Sequence, residues 1–105
     1  MSRPSKYGNR KTVVDGITFA SAKEARRYSE LKLLERAGEI SALMLQPRFP
    51  LKVNDQLICT YVADFIYQDK GGSSVVEDAK GFKTPEYKLK RKLMRAVFAV
   101  DVVEV

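Results

Sequence analysis

The sequence predicts an α/β (α+β) fold in which a β-hairpin precedes elements in the order α-β-β-β-α-β. Three observations carry that expectation. Asp15-Gly16 is a two-residue turn signal between β-type runs. Ser21 and Thr84-Pro85 each open a helix. Runs rich in β-branched and aromatic residues lie between and after the two helices.

In chain order, "TVVDGITF" forms the hairpin. "SAKE" has the capping-box form, with Ser21 as cap and Glu24 three residues on, and predicts a helix from about Ala22 to Ala37 with Gly38 as its stop. "EISALMLQPRFPL" follows as a strand ending in a proline-bounded bend, and "LICTYVADFIY" as the most strand-like stretch of the chain. "QDKGGSS" turns the chain into "VVEDAKG". Thr84-Pro85 starts a second helix that continues to about Phe98, and "VDVVEV" closes as a strand. Residues 1–11 carry Arg3, Lys6, Arg10 and Lys11 and read as a flexible basic arm; residues 12–105 read as a single domain.

A chain of 105 residues, 45% hydrophobic and 30% charged, suits one globular domain rather than a disordered segment. Nineteen Lys+Arg against thirteen Asp+Glu give a net charge of +6, which favours polyanionic partners, nucleic acid first. Cys59 is the single cysteine; it rules out an internal disulfide, fits a reducing cytoplasm and reads as an apolar filler. No apolar run approaches the length of a membrane span, and "MSRPSKYGNRK" lacks a signal-peptide core. Histidine is absent, which excludes His-based triads, His-ligated zinc and His-based nucleases. Acid–base or metal chemistry must then come from carboxylates, lysine, tyrosine and water.

The charges inside "VVEDAKG" are the chief anomaly. Strand alternation sends Val76, Asp78 and Lys80 one way, and Val75, Glu77 and Ala79 the other. In the preceding run, Ile58, Thr60, Val62, Asp64 and Ile66 share a face. Pairing of the two runs as a hairpin would set Asp64 beside Asp78, with Lys80 nearby. Two adjoining carboxylates repel, and a hard divalent cation relieves the repulsion. The alternative is a solvated edge, with an Asp78–Lys80 surface pair contributing little. Glu24 shares a helical stripe with Tyr28 and Leu31, so two roles are open to it: cap partner or site residue.

With these residues in view, "ADF…EDAKG" resembles the PD-(D/E)XK nuclease signature, with Ala63 where the family's first proline stands. The α-β-β-β-α-β order agrees over almost all of the chain after residue 20. The stretch from "SAKEARRYSELKLLERAGEIS" to "GFKTPEYKLKRKL" is similar to a small phage-encoded, resolvase-like family of that superfamily. The resemblance implies a restriction-endonuclease-like core, a central mixed sheet flanked by helices. It implies Asp64 and Asp78 as Mg²⁺ ligands (Mn²⁺ as substitute), joined by the Ala79 carbonyl. Lys80 is implied as the residue that orients water and offsets phosphate charge, and Glu24 as an auxiliary acidic ligand. Gln46 matches a polar position seen in some relatives. Glu77 lies on the opposite face from Asp78 unless a bulge exchanges the two.

In the second helix Lys88, Arg91, Lys92 and Arg95 recur at helical spacing, with Leu89, Leu93, Ala96 and Val97 opposite. Such a face is either merely solvated or, with Lys83 and the arm, a set of phosphate contacts giving salt-sensitive, sequence-tolerant binding. The expected function is a Mg²⁺-dependent endodeoxyribonuclease acting on duplex or branched DNA, a Holliday junction foremost, in phage recombination within the bacterial cytoplasm. Two-fold dimerisation is expected by analogy and symmetry. The competing readings are a non-catalytic nucleic-acid-binding module and a small structural RNA-binding protein.

Overall fold

The computed structural model describes residues 11–79 and 83–105. The expected hairpin forms from β1 (Thr12–Val14) and β2 (Ile17–Phe19), paired antiparallel with Val14 opposite Ile17. Asp15 and Gly16 both take positive φ, 52° and 75°, the pairing that a two-residue turn between right-twisted strands requires. The hairpin covers the helix that follows it. Phe19 packs against Tyr28, and the Tyr28 hydroxyl donates to Asp15 at 3.0 Å.

Helix α1 (Ala22–Arg36) begins where Ser21 Oγ accepts the Glu24 N–H at 3.1 Å. It ends at Ala37, and Gly38 follows in the left-handed region with φ 79°, where a side chain would be strained. Its buried side chains are Glu24, Ala25, Tyr28 and Leu31, so the stripe expected from the sequence is the face that packs. Glu35, further along that line, turns to the next strand instead and accepts the Leu43 N–H at 3.1 Å.

The middle of the chain departs from expectation. β3 (Ser41–Leu45) is followed not by a bend alone but by β4 (Arg48–Val53), which pairs with β5 (Gln56–Val62) in a separate hairpin. Asn54 and Asp55, both with positive φ, make its turn. "LICTYVADFIY" is therefore two strands: β5 stops at Val62, and β6 (Phe65–Gln68) starts after a break at Ala63-Asp64. Ala63 and Asp64 are weak strand formers within an otherwise strand-rich run, and the chain changes pairing partner there, from β4 to the central sheet.

β7 (Ser74–Asp78) pairs antiparallel with β6, as the turn residues predicted. Helix α2 (Pro85–Phe98) starts where Thr84 Oγ1 accepts the Tyr87 N–H at 3.1 Å. The closing run shortens to β8 (Val103–Glu104), parallel to β7. The result is an α+β protein whose four-stranded mixed sheet has the order β3-β6-β7-β8.

The two faces of this sheet carry different cores. Phe65 and Tyr67 of β6 pack with Phe19, Tyr28 and Leu31 on the α1 side. Val76 of β7, with Ile66 beside it, packs with Leu51, Tyr61, Met94 and Val102 on the α2 side. Leu31, Leu51 and Met94 are fully enclosed, and burying each contributes about 2 kcal/mol. One expectation for α2 fails. Its buried residues are Tyr87 and Met94, with Leu93 and Val97 partly covered, whereas Leu89 is 57% exposed and Ala96 lies at the surface. The sheet meets this helix one step round from the stripe that composition alone marks out.

Candidate functional site

The break between β5 and β6 builds the site. Asp64 is held by three hydrogen bonds from two backbone segments: its carbonyl accepts the Gln46 N–H at 2.9 Å, and its own N–H donates to the Glu77 carbonyl at 3.2 Å. Its Oδ2 accepts the Ala79 N–H at 2.7 Å. Gln46, exposed and with φ 50°, thus supports Asp64 through its backbone. The carboxylate of Asp64 is thereby clamped to the end of β7, the strand that carries Asp78.

Asp78 is completely buried, on the α2 side of the sheet, and accepts a hydrogen bond from the Tyr61 hydroxyl. Burial first, then the hydrogen bond and charge of Asp78, with a further contribution from Asp64, drive the Tyr61 hydroxyl far above its ordinary pKa. The bond from the Ala79 N–H to Asp64 brings that carboxylate to the strand end on which Asp78 stands one residue earlier. A cavity of about 240 Å³ is lined by Thr60, Tyr61, Val62, Thr84, Glu86, Tyr87 and Lys90, so that Tyr61 borders it while neither aspartate does.

Glu77 looks the other way, as strand alternation requires. Only 1% exposed, it faces α1, where Arg27 Nε and Nη2 donate to its two oxygens at 2.8 and 2.7 Å. The Tyr67 hydroxyl also donates to it. Both oxygens being engaged, Glu77 acts as a buried anchor between β7 and α1. Arg27 sits one position from the Glu24–Tyr28 stripe and was not singled out from the sequence; its place one helical turn after Glu24 was the available signal.

Glu24 is buried on α1, 6% exposed. Among the described residues no group of three or more carboxylates or cysteines stands in a metal-holding arrangement. Lys80 lies outside the described residues, as does the arm from residue 1 to residue 10.

The basic residues divide by partner. Lys83 Nζ and Arg91 Nη1 both contact Glu104, at 3.0 and 2.7 Å, and Arg95 pairs with Asp101. Lys88 and Lys92 are exposed and make no ion pair among the described residues. A second cavity, about 360 Å³, lies against α1 and is lined by Lys23, Arg26, Arg27, Glu30 and Val105.

Among the described residues four tyrosines have hydroxyls raised above their ordinary pKa, burial being the largest cause in each: Tyr28, Tyr61, Tyr67 and Tyr87. Tyr67, donating to Glu77, is pushed up to about 12. A group whose folded pKa exceeds its unfolded value of about 10 stabilises the fold fully below pH 10 and loses that contribution as pH rises through the folded value. Denaturant titrations are thus expected to show a steep fall in stability between about pH 10 and 12. Tyrosine ionisation at 295 nm should lag behind that of free tyrosine until the chain unfolds.

The fold defines the class: an α+β protein with a four-stranded mixed sheet, in which Asp78 ends β7 and Asp64 is hydrogen-bonded to the residue after it. The chain belongs to the family described as protein of unknown function (DUF1064), which matches residues 4–103. No curated protein matches it. No helix among the described residues is long and apolar enough to cross a membrane.

Proposed function

We propose that this protein is a metal-dependent endodeoxyribonuclease of restriction-endonuclease-like fold. The observation that carries the proposal is the clamp of Asp64 to the Ala79 N–H, which brings the Asp64 carboxylate to the strand end that bears Asp78. Support comes also from the resemblance of "ADF…EDAKG" to the PD-(D/E)XK signature. The strands of the mixed sheet, taken with the two helices, follow the α-β-β-β-α-β order in the chain.

The donor set fits a hard divalent cation, because Asp64 and Asp78 offer carboxylate oxygens and no soft ligand lies among them. Asp64, Asp78 and the Ala79 carbonyl would hold Mg²⁺, or Mn²⁺ in its place, with Glu24 as auxiliary acid. Bound there, the ion supplies Lewis-acid stabilisation and an activated water. The chain's own residues position these groups: Ala79 N–H orients Asp64, and Tyr61 fixes the rotamer of Asp78. Lys80 is assigned the role of orienting water and offsetting charge at the scissile phosphate. Lys83, Lys88, Arg91, Lys92 and Arg95 are assigned to the DNA backbone, on duplex or branched substrates engaged by a homodimer. The proposed setting is phage recombination in the bacterial cytoplasm, with a four-way junction as first substrate.

A second reading, a non-catalytic nucleic-acid-binding module, is favoured by the complete burial of Asp78. Supercoiled, linear and four-way-junction DNA, incubated with the full chain and with Mg²⁺, Mn²⁺ or EDTA, separates the two. Cleavage that needs the metal is the expected result. Tight binding with no cutting of any substrate would establish the module instead.

A further inference from the structure

Glu104 holds an unusual position. It is the register partner of Asp78 across the β7–β8 pair, and its carboxylate is three-quarters buried against α2. Three donors converge on it: Lys83 Nζ at 3.0 Å and Arg91 Nη1 at 2.7 Å on Oε1, and the Tyr87 hydroxyl at 2.9 Å on Oε2. Two cations and a hydroxyl around one pair of oxygens is the donor set that proteins direct at a phosphate. Here the chain's own carboxylate fills it. The cradle also neighbours the candidate site, since Glu104 and Asp78 are paired in register across β7 and β8.

Other features carry less. The cavity against α1 has Arg27 committed to Glu77 and Glu30, and its other cations, Lys23 and Arg26, lie exposed on the helix with nothing that identifies a ligand. The exposed apolar residues of β4 and β5, Val53, Leu57, Ile58 and Val62, have nothing that identifies what covers them.

Building on the nuclease function proposed above, we propose that Lys83, Arg91 and Tyr87 form a cradle for a DNA backbone phosphate, and that Glu104 occupies it as a competing anion. Engagement of DNA then requires the Glu104 carboxylate to give up its two cations to the phosphate. Glu104 lowers affinity for DNA and sets how many phosphate contacts are made. A purely structural ion pair between α2 and β8 would leave DNA affinity unchanged, or weaken it when removed.

Fluorescence anisotropy with a labelled four-way junction and a duplex, in EDTA so that nothing is cut, provides the test. Glu104→Gln keeps an oxygen for the Tyr87 hydroxyl and removes the charge. It is expected to bind about fivefold tighter than the unsubstituted chain. Its plot of log affinity against log salt should steepen by about 1, for the one phosphate that the cradle takes. Lys83→Ala should weaken binding modestly in the unsubstituted chain and more strongly in the Glu104→Gln background, where it cancels most of the gain. In the unsubstituted chain, the Arg91 Nε–H resonance should shift on addition of a short duplex, a readout that needs no variant to fold. Equal or weaker binding by a folded Glu104→Gln, or an unmoved Arg91 resonance under saturating DNA, would overturn the cradle alone. Absence of DNA binding by every form would overturn it together with the nuclease function.

Discussion

Replacing Asp64 by asparagine should lower metal-dependent cleavage by about a hundred- to a thousandfold, with the fold retained. The amide oxygen can still accept the Ala79 N–H that clamps this position. What is lost is the negative charge, and with it the strongest part of the attraction for a divalent cation. Asp78→Asn is expected to behave likewise, because an amide oxygen can still accept from Tyr61. Single-turnover cleavage of a four-way junction at several Mg²⁺ concentrations, beside thermal melts of each variant, checks both. A folded variant that cuts at the native rate would remove that aspartate from the site.

Arg27→Ala should be the most damaging substitution for stability, at about 3–5 kcal/mol. It leaves Glu77 buried at 1% exposure with neither of its guanidinium contacts, and the Tyr67 hydroxyl alone cannot offset the charge. Replacing Arg27 and Glu77 together by Met and Leu should recover most of that loss, since a paired set of apolar groups removes the desolvation cost as well as the attraction. Urea unfolding followed by circular dichroism measures both. A loss below about 1 kcal/mol for Arg27→Ala would mean that the pair behaves as a surface ion pair.

Glu77 and Asp78 show how far a short motif can be read. Alternation along β7 separates them, and they do face opposite helices: Glu77 meets Arg27 on the α1 side, and Asp78 meets Tyr61 on the α2 side. Nothing in "VVEDAKG" names those partners, because Arg27 lies 50 positions away in the chain. The basic face of α2 teaches the complementary lesson. Its spacing is plain in the sequence, but Glu104 and Asp101, beyond the end of the helix, are what engage Arg91 and Arg95.

Features governed by neighbours within about four residues were legible without coordinates. These include the Asp15-Gly16 turn, the Ser21 and Thr84 caps, the end of α1 near Gly38, and the α+β class. Their free energies come from local backbone hydrogen bonds and φ preferences, which a short window contains whole. The division of "LICTYVADFIY" at Ala63-Asp64 was not legible as a change of sheet: both residues are weak strand formers, but two such residues do not name the partners on either side, and the exchange of β4 for the central sheet does. That exchange depends on contacts summed over the whole chain. It is also what sets Asp64 against Ala79, so the pattern named the acids while long-range packing placed them.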